Sequence, residues 1–131
     1  MNTSPPRVLV ADNQYLIAME VERILQESLA CDVKISPIST LSDALSSGEF
    51  EVVVIDAAPL EVLNVERATM ILSAGAFPVF LSSYDHFPDV GTVVSSYPMV
   101  SKPPQPDDLA AAVLEAMRRK SSHGKGLLDD R

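Results

Sequence analysis

The chain has 131 residues, 47% of them hydrophobic, and a formal charge of −8 from 18 acids against 10 bases. That length suits one domain around one core, and the hydrophobic content excludes a disordered chain. The acidic balance argues against nucleic acid as a direct partner, because phosphate contacts need clustered Lys and Arg.

Residues 1–6 read as a flexible arm, and Met1 to Pro6 lack the basic and apolar parts of a signal peptide. Arg7 to Ala11 is a short apolar run, a first buried strand that ends at Asp12-Asn13. Leu16, Ile17, Val21, Ile24, Leu25 and Leu29 then recur at helical spacing, with polar residues between them. Cys31, the single cysteine, excludes an internal disulfide, fits a reducing compartment and reads as a small buried hydrophobe. Val33 to Ser39 alternates apolar and polar, and Pro37 marks it as an edge strand. Leu41 to Ser47 predicts a short helix stopped by Gly48.

Val52-Val53-Val54-Ile55-Asp56 is the central feature. Four β-branched residues in a row suit a strand buried on both faces of a parallel sheet, with Asp56 at its carboxyl end. Ala57 to Leu60 is a loop. Val65 to Ser73 predicts a helix with Ala68, Ile71 and Leu72 on its inner face, closed by Gly75. Pro78 to Leu81 is a further buried strand ending at Ser82-Ser83. Residues 84–97 are poorly patterned and allow at most a short helix. Met99-Val100-Ser101 is a brief strand ending at Lys102. Pro106 suits a first helical position, Asp107 and Asp108 the first turn, and Leu109, Ala112, Val113, Ala116 and Met117 a buried stripe. Residues 121–131 read as a flexible tail, Met70, Met99 and Met117 as core, and His86 and His123 as solvated.

Five repeats of strand then helix specify a doubly wound parallel sheet, α/β in class. No apolar run approaches a membrane span, and no zinc spacing, Walker loop or Gly-rich dinucleotide turn is present. Parallel strands put their carboxyl ends on one edge, where ligands bind in open α/β sheets. Asp12-Asn13, Asp56, Ser82 and Lys102 all stand at such ends. Carboxylates beside an ammonium and a hydroxyl could hold a small hard cation, or a phosphoryl group. A central carboxylate can itself be the nucleophile that forms an acyl phosphate.

On these residues the chain resembles the receiver domain of two-component response regulators. Val8-Leu9-Val10-Ala11-Asp12 followed by Leu16-Ile17 matches the first strand and helix. Val53-Val54-Ile55-Asp56 matches the phosphoacceptor strand, Phe80-Leu81-Ser82 the hydroxyl-bearing strand, and Ser101-Lys102-Pro103 the Lys-Pro signature. The resemblance covers about residues 7–120 and implies a flavodoxin-like, five-stranded parallel sheet, with a short or irregular helix between the last two strands. It further implies that Asp56 accepts a phosphoryl group, that Ser82 and Lys102 contact it, and that Lys102-Pro103 is a candidate cis peptide. Mg²⁺ would be held by Asp12, Asn13, Asp56 and the backbone carbonyl of Ala58. The implied function is a stand-alone, cytoplasmic response regulator, not an enzyme. Its partners would be a histidine kinase or phosphotransfer protein, an unidentified downstream protein and, as one option, a second copy of itself, with neither DNA nor membrane. About eleven residues after Lys120 are too few for an output domain.

Two departures weaken the match. Asn13 stands where the family has a second acid, which implies weak Mg²⁺ binding, and Asn13 as a helix cap is an equal alternative to Asn13 as a ligand. Met99 stands where the family has its switch aromatic, with Tyr97 two positions off. They carry the competing reading of a pseudo-receiver, a binding or dimerisation module that kept the fold and lost efficient chemistry. A small enzyme on the same scaffold is the third option, because fold does not fix function.

Overall fold

A computed structural model describes residues 5–82 and 92–129, with residues 122–129 and Ser47 described by their backbone alone. The strands are β1 (Arg7–Ala11), β2 (Asp32–Ser36), β3 (Val52–Asp56), β4 (Phe77–Ser82) and β5 (Met99–Ser101). The helices are α1 (Tyr15–Leu29), α2 (Leu41–Ser47), α3 (Glu61–Ser73) and α4 (Pro106–Asp129). All strand pairs are parallel, and the order across the sheet is β2-β1-β3-β4-β5. That is the flavodoxin-like order, and its switch point lies between β1 and β3.

Side chains on a strand alternate between the two faces of the sheet, and the core divides accordingly. Val8, Val10, Val52, Val54, Val79 and Leu81 meet Ala18, Val21, Ile24 and Leu25 of α1 and Leu109, Val113 and Ala116 of α4. Leu9, Ala11, Val53, Ile55 and Phe80 face the other way, onto Leu41 and Leu45 of α2, Ala68 and Ile71 of α3, and Val94. The middle of β3 is buried on both faces because helices cover both, as its run of β-branched residues predicts. Edge strand β2 alternates exposed and half-buried residues up to Ser36. Gly75 turns the chain from α3 into β4 at φ 86°, a backbone region open to glycine at no steric cost.

Several expectations are corrected. α3 starts at Glu61, not Val65, and a carboxylate in the first turn favours this start. Leu16 and Leu72 are exposed, and Ala18 takes the inward position in α1. Met70 and Met99 are exposed, whereas Met117 packs against the core. α4 runs past Lys120 to Asp129, into the segment expected to be a tail. No proline follows Pro106, and a glycine costs a helix only about 1 kcal/mol relative to alanine, so nothing in that segment compels a stop. The last two strands are joined in part by a 3-10 turn at Val94–Ser96. The rest of the expected irregular helix, residues 1–4 of the arm, and His86 lie outside the described residues, as does the His123 side chain.

Candidate functional site

Strand register assembles the site. Ala11 pairs with Ile55, so one residue further Asp12 stands beside Asp56 at the switch point. Asp56 pairs with Leu81, and Ser82 with Ser101, which brings the ends of β4 and β5 onto the same edge. The Lys102 backbone N–H donates to the Ser82 carbonyl at 2.8 Å, extending the ladder by one step, and Lys102-Pro103 is a cis peptide.

From there the Lys102 ammonium crosses to the carboxylates. Its Nζ lies 2.7 Å from Asp56 Oδ1 and 3.3 Å from Asp12 Oδ2. The three side chains differ in exposure: Asp12 0%, Lys102 11% and Asp56 31%. Asp56 is thus the member that solvent reaches, and Asp12 the one sealed beneath. Asp12 Oδ1 accepts the Gln14 backbone N–H at 2.8 Å, while Oδ2 is buried with no hydrogen-bond donor. A buried carboxylate oxygen without a donor is costly unless a cation faces it. Ser82 is buried at the end of β4.

Other expected ligands stand differently. Asn13 is exposed, and its Oδ1 accepts the Ile38 backbone N–H at 3.0 Å, turned toward the β2–α2 connection. The Ala58 carbonyl accepts Asn64 Nδ2 at 2.9 Å, while the Ala58 N–H donates to Asn64 Oδ1 at 2.8 Å. This two-point clasp satisfies both backbone groups of Ala58 from one buried amide and fixes the loop after Asp56. Arg67, one turn along α3, donates from Nη1 to the Asp56 carbonyl at 3.2 Å.

Gln14 carries no motif, yet it belongs to the cluster: its Oε1 accepts from Lys102 Nζ at 2.8 Å. It is the N-cap of α1, a position where Ser, Thr, Asp or Asn would bond back to the helix, and its side chain makes no such bond. A long amide at a cap is the sequence signal that could have found it. Asn64 gave no comparable signal, because a polar residue in a helix reads as exposed. Tyr97 stands at a T-shaped 5.2 Å from Phe77 and 6.3 Å from Phe80, with the Arg119 guanidinium 5.7 Å from its ring. Away from the site, burial pushes the Cys31 thiol up from its ordinary value, and the Glu51 carboxylate adds to this. Among the described residues, no three His, Cys, Asp or Glu side chains gather as metal ligands, and no helix is long and apolar enough to cross a membrane.

No protein-family model and no curated protein matches the chain. Solved structures do. The signal receiver domain of an HD domain-containing protein from Pseudomonas fluorescens superposes with a TM-score of 0.73 at 18% identity, covering 95% of this chain and 96% of that one. The signal receiver domain of a modulated diguanylate cyclase from Desulfovibrio desulfuricans gives 0.71 at 21% identity, covering 92% and 99%. A CheY-like response regulator receiver domain protein from Methanospirillum hungatei gives 0.69 at 17% identity, again covering 92% and 99%. With its parallel order, its switch point between β1 and β3 and these neighbours, the chain has the fold of a response-regulator receiver domain.

Proposed function

We propose that the protein is a response-regulator receiver that takes a phosphoryl group on Asp56 from a histidine kinase or phosphotransfer protein and signals by protein contact. The observation that carries this reading is the placement of Lys102 Nζ, 2.7 Å from the most exposed carboxylate of the edge and 3.3 Å from a sealed one. In the step, an Asp56 carboxylate oxygen attacks the phosphorus of a partner's phosphohistidine. The P–N bond breaks, its electron pair stays on the imidazole nitrogen, and the new P–O bond makes an acyl phosphate. Lys102 offers its charge to the phosphoryl oxygens as they arrive, and the Ser82 hydroxyl would donate a hydrogen bond to them.

Mg²⁺ suits this oxygen set. Asp12 Oδ2 is buried without a donor, and hard cations take carboxylate and carbonyl oxygens. Asp12, Asp56 and the Ala58 carbonyl would hold it, the carbonyl through the lone pair that Asn64 leaves open. When bound, it would neutralise charge on the transferred group.

The test is intact-mass measurement after incubation with a small phosphodonor, with and without Mg²⁺. The expected result is gain of one phosphoryl group that needs Mg²⁺ and is lost in Asp56→Asn. A second reading, a binding module without efficient chemistry, draws support from the outward turn of the Asn13 oxygen. No phosphoryl gain under saturating donor and Mg²⁺ would leave that reading standing and end the first.

A further inference from the structure

We propose that Gln14, not Asn13, completes the cation site, and that Lys102 and a divalent cation compete for one set of oxygens there. The inference rests on the receiver reading of this pocket, and deepens it.

The Lys102 ammonium already sits as the cation among three side-chain oxygens: Asp56 Oδ1 at 2.7 Å, Gln14 Oε1 at 2.8 Å and Asp12 Oδ2 at 3.3 Å. The contact to Asp12 is an ion pair without a hydrogen bond, so the buried oxygen is faced by charge but satisfied by no donor. An ammonium has three N–H groups on a long flexible stem, and it fills such a cage loosely. A hard divalent cation prefers the same oxygens and brings its own waters for the remaining positions. The two cannot share these oxygens, because their charges would repel at contact distance inside a partly buried site. Entry of the divalent cation therefore requires Lys102 to swing away, toward the place where a phosphoryl group on Asp56 would be.

Asn13 is excluded from the cage by its own hydrogen bond: its oxygen accepts from the Ile38 N–H in the connection between β2 and α2. Gln14 is included because its backbone N–H is fastened to Asp12 Oδ1 at 2.8 Å, which fixes the residue beside the pocket while the side chain reaches in. One methylene more than asparagine, one position later, restores an amide oxygen where the expected ligand fails to deliver one.

The experiment is Mn²⁺ titration of the full chain, read from the paramagnetic signal of the free ion, with Mg²⁺ as competitor. Gln14→Ala should weaken binding by about tenfold, the lower end of what lost support of a metal site costs. Gln14→Glu should strengthen it, Asn13→Ala should leave it unchanged, and Lys102→Met should strengthen it by removing the competitor. Because Gln14 is exposed, its variants should keep the wild-type thermal transition, which is checked alongside. Weakening by Asn13→Ala without weakening by Gln14→Ala overturns the assignment, and unchanged affinity in Lys102→Met overturns the competition. If wild type gains a phosphoryl group on Asp56 but Gln14 variants bind Mn²⁺ as it does, this inference alone fails. If wild type neither binds Mn²⁺ nor gains a phosphoryl group, the receiver reading fails with it.

Discussion

Around the Asp56 carboxylate, charged and amide groups are fastened together: Lys102, reaching over from the end of β5, to Asp56 and Gln14, and the Gln14 backbone to Asp12. On the β4–β5 side, the contacts around Tyr97 are those of a packing residue. Tyr97 is wedged against Phe77 and Phe80 and capped by Arg119 of α4, whose Nη2 also donates to the Ser96 carbonyl at 3.0 Å. Met99, where the receiver pattern has an aromatic, is 38% exposed and stands on the surface of β5. The polar cluster is held by ion pairs and hydrogen bonds, and the Tyr97 flank by ring packing. Substitutions among the packed rings should therefore leave the properties of the polar cluster alone.

The largest effect should come from Lys102→Met. It leaves Asp12 buried with no countercharge, and losing one partner of a buried pair costs about 3 kcal/mol. Urea unfolding measures this, and the double variant with Asp12→Ala should lose less than the sum of the single losses. Asn64→Ala should follow at about 2 kcal/mol, because it strips partners from both the N–H and the carbonyl of buried Ala58. It should also slow phosphoryl gain, since the loop beside Asp56 loses its clasp. Tyr97→Ala should cost about 2 kcal/mol through lost aromatic contact, yet leave the rate of phosphoryl gain unchanged. A fall in that rate would show the flanks to be coupled. Met99→Ala should change stability by less than about 0.5 kcal/mol, as expected of an exposed residue, and leave phosphoryl gain as it was.

What could be read in the sequence follows from how local each signal is. β3 falls on Val52–Asp56 and β5 on Met99–Ser101 because β-branched and apolar runs bounded by loop residues are local facts. Pro106 fixes the start of α4 for the same reason. The nearness of Asp12, Asp56 and Lys102 was legible because parallel topology sends every strand's carboxyl end to one edge, whereas nothing local says where the buried Ser82 hydroxyl points. Gln14 was legible at most as a long amide at a helix cap; the group it meets lies 88 residues away, and no pattern around Gln14 names Lys102. Asn64, 4% exposed, escaped because its burial depends on the Ala58 backbone, which the periodicity of α3 does not encode. Asn13 was named for its place beside Asp12, and the hydrogen bond its oxygen accepts from the Ile38 N–H, 25 residues on, is one that sequence spacing does not measure.

The claim on which the rest stands is that the carboxylate between Asp12 and Lys102 is the one that receives the phosphoryl group. After exposure to a phosphodonor and Mg²⁺, borohydride reduces an acyl phosphate to an alcohol and so marks its position for peptide mass mapping. The account predicts reduction at Asp56 in wild type and at no carboxylate in Asp56→Asn. Reduction at another acid, or an unmodified Asp56 in a protein that has gained a phosphoryl group, would contradict it.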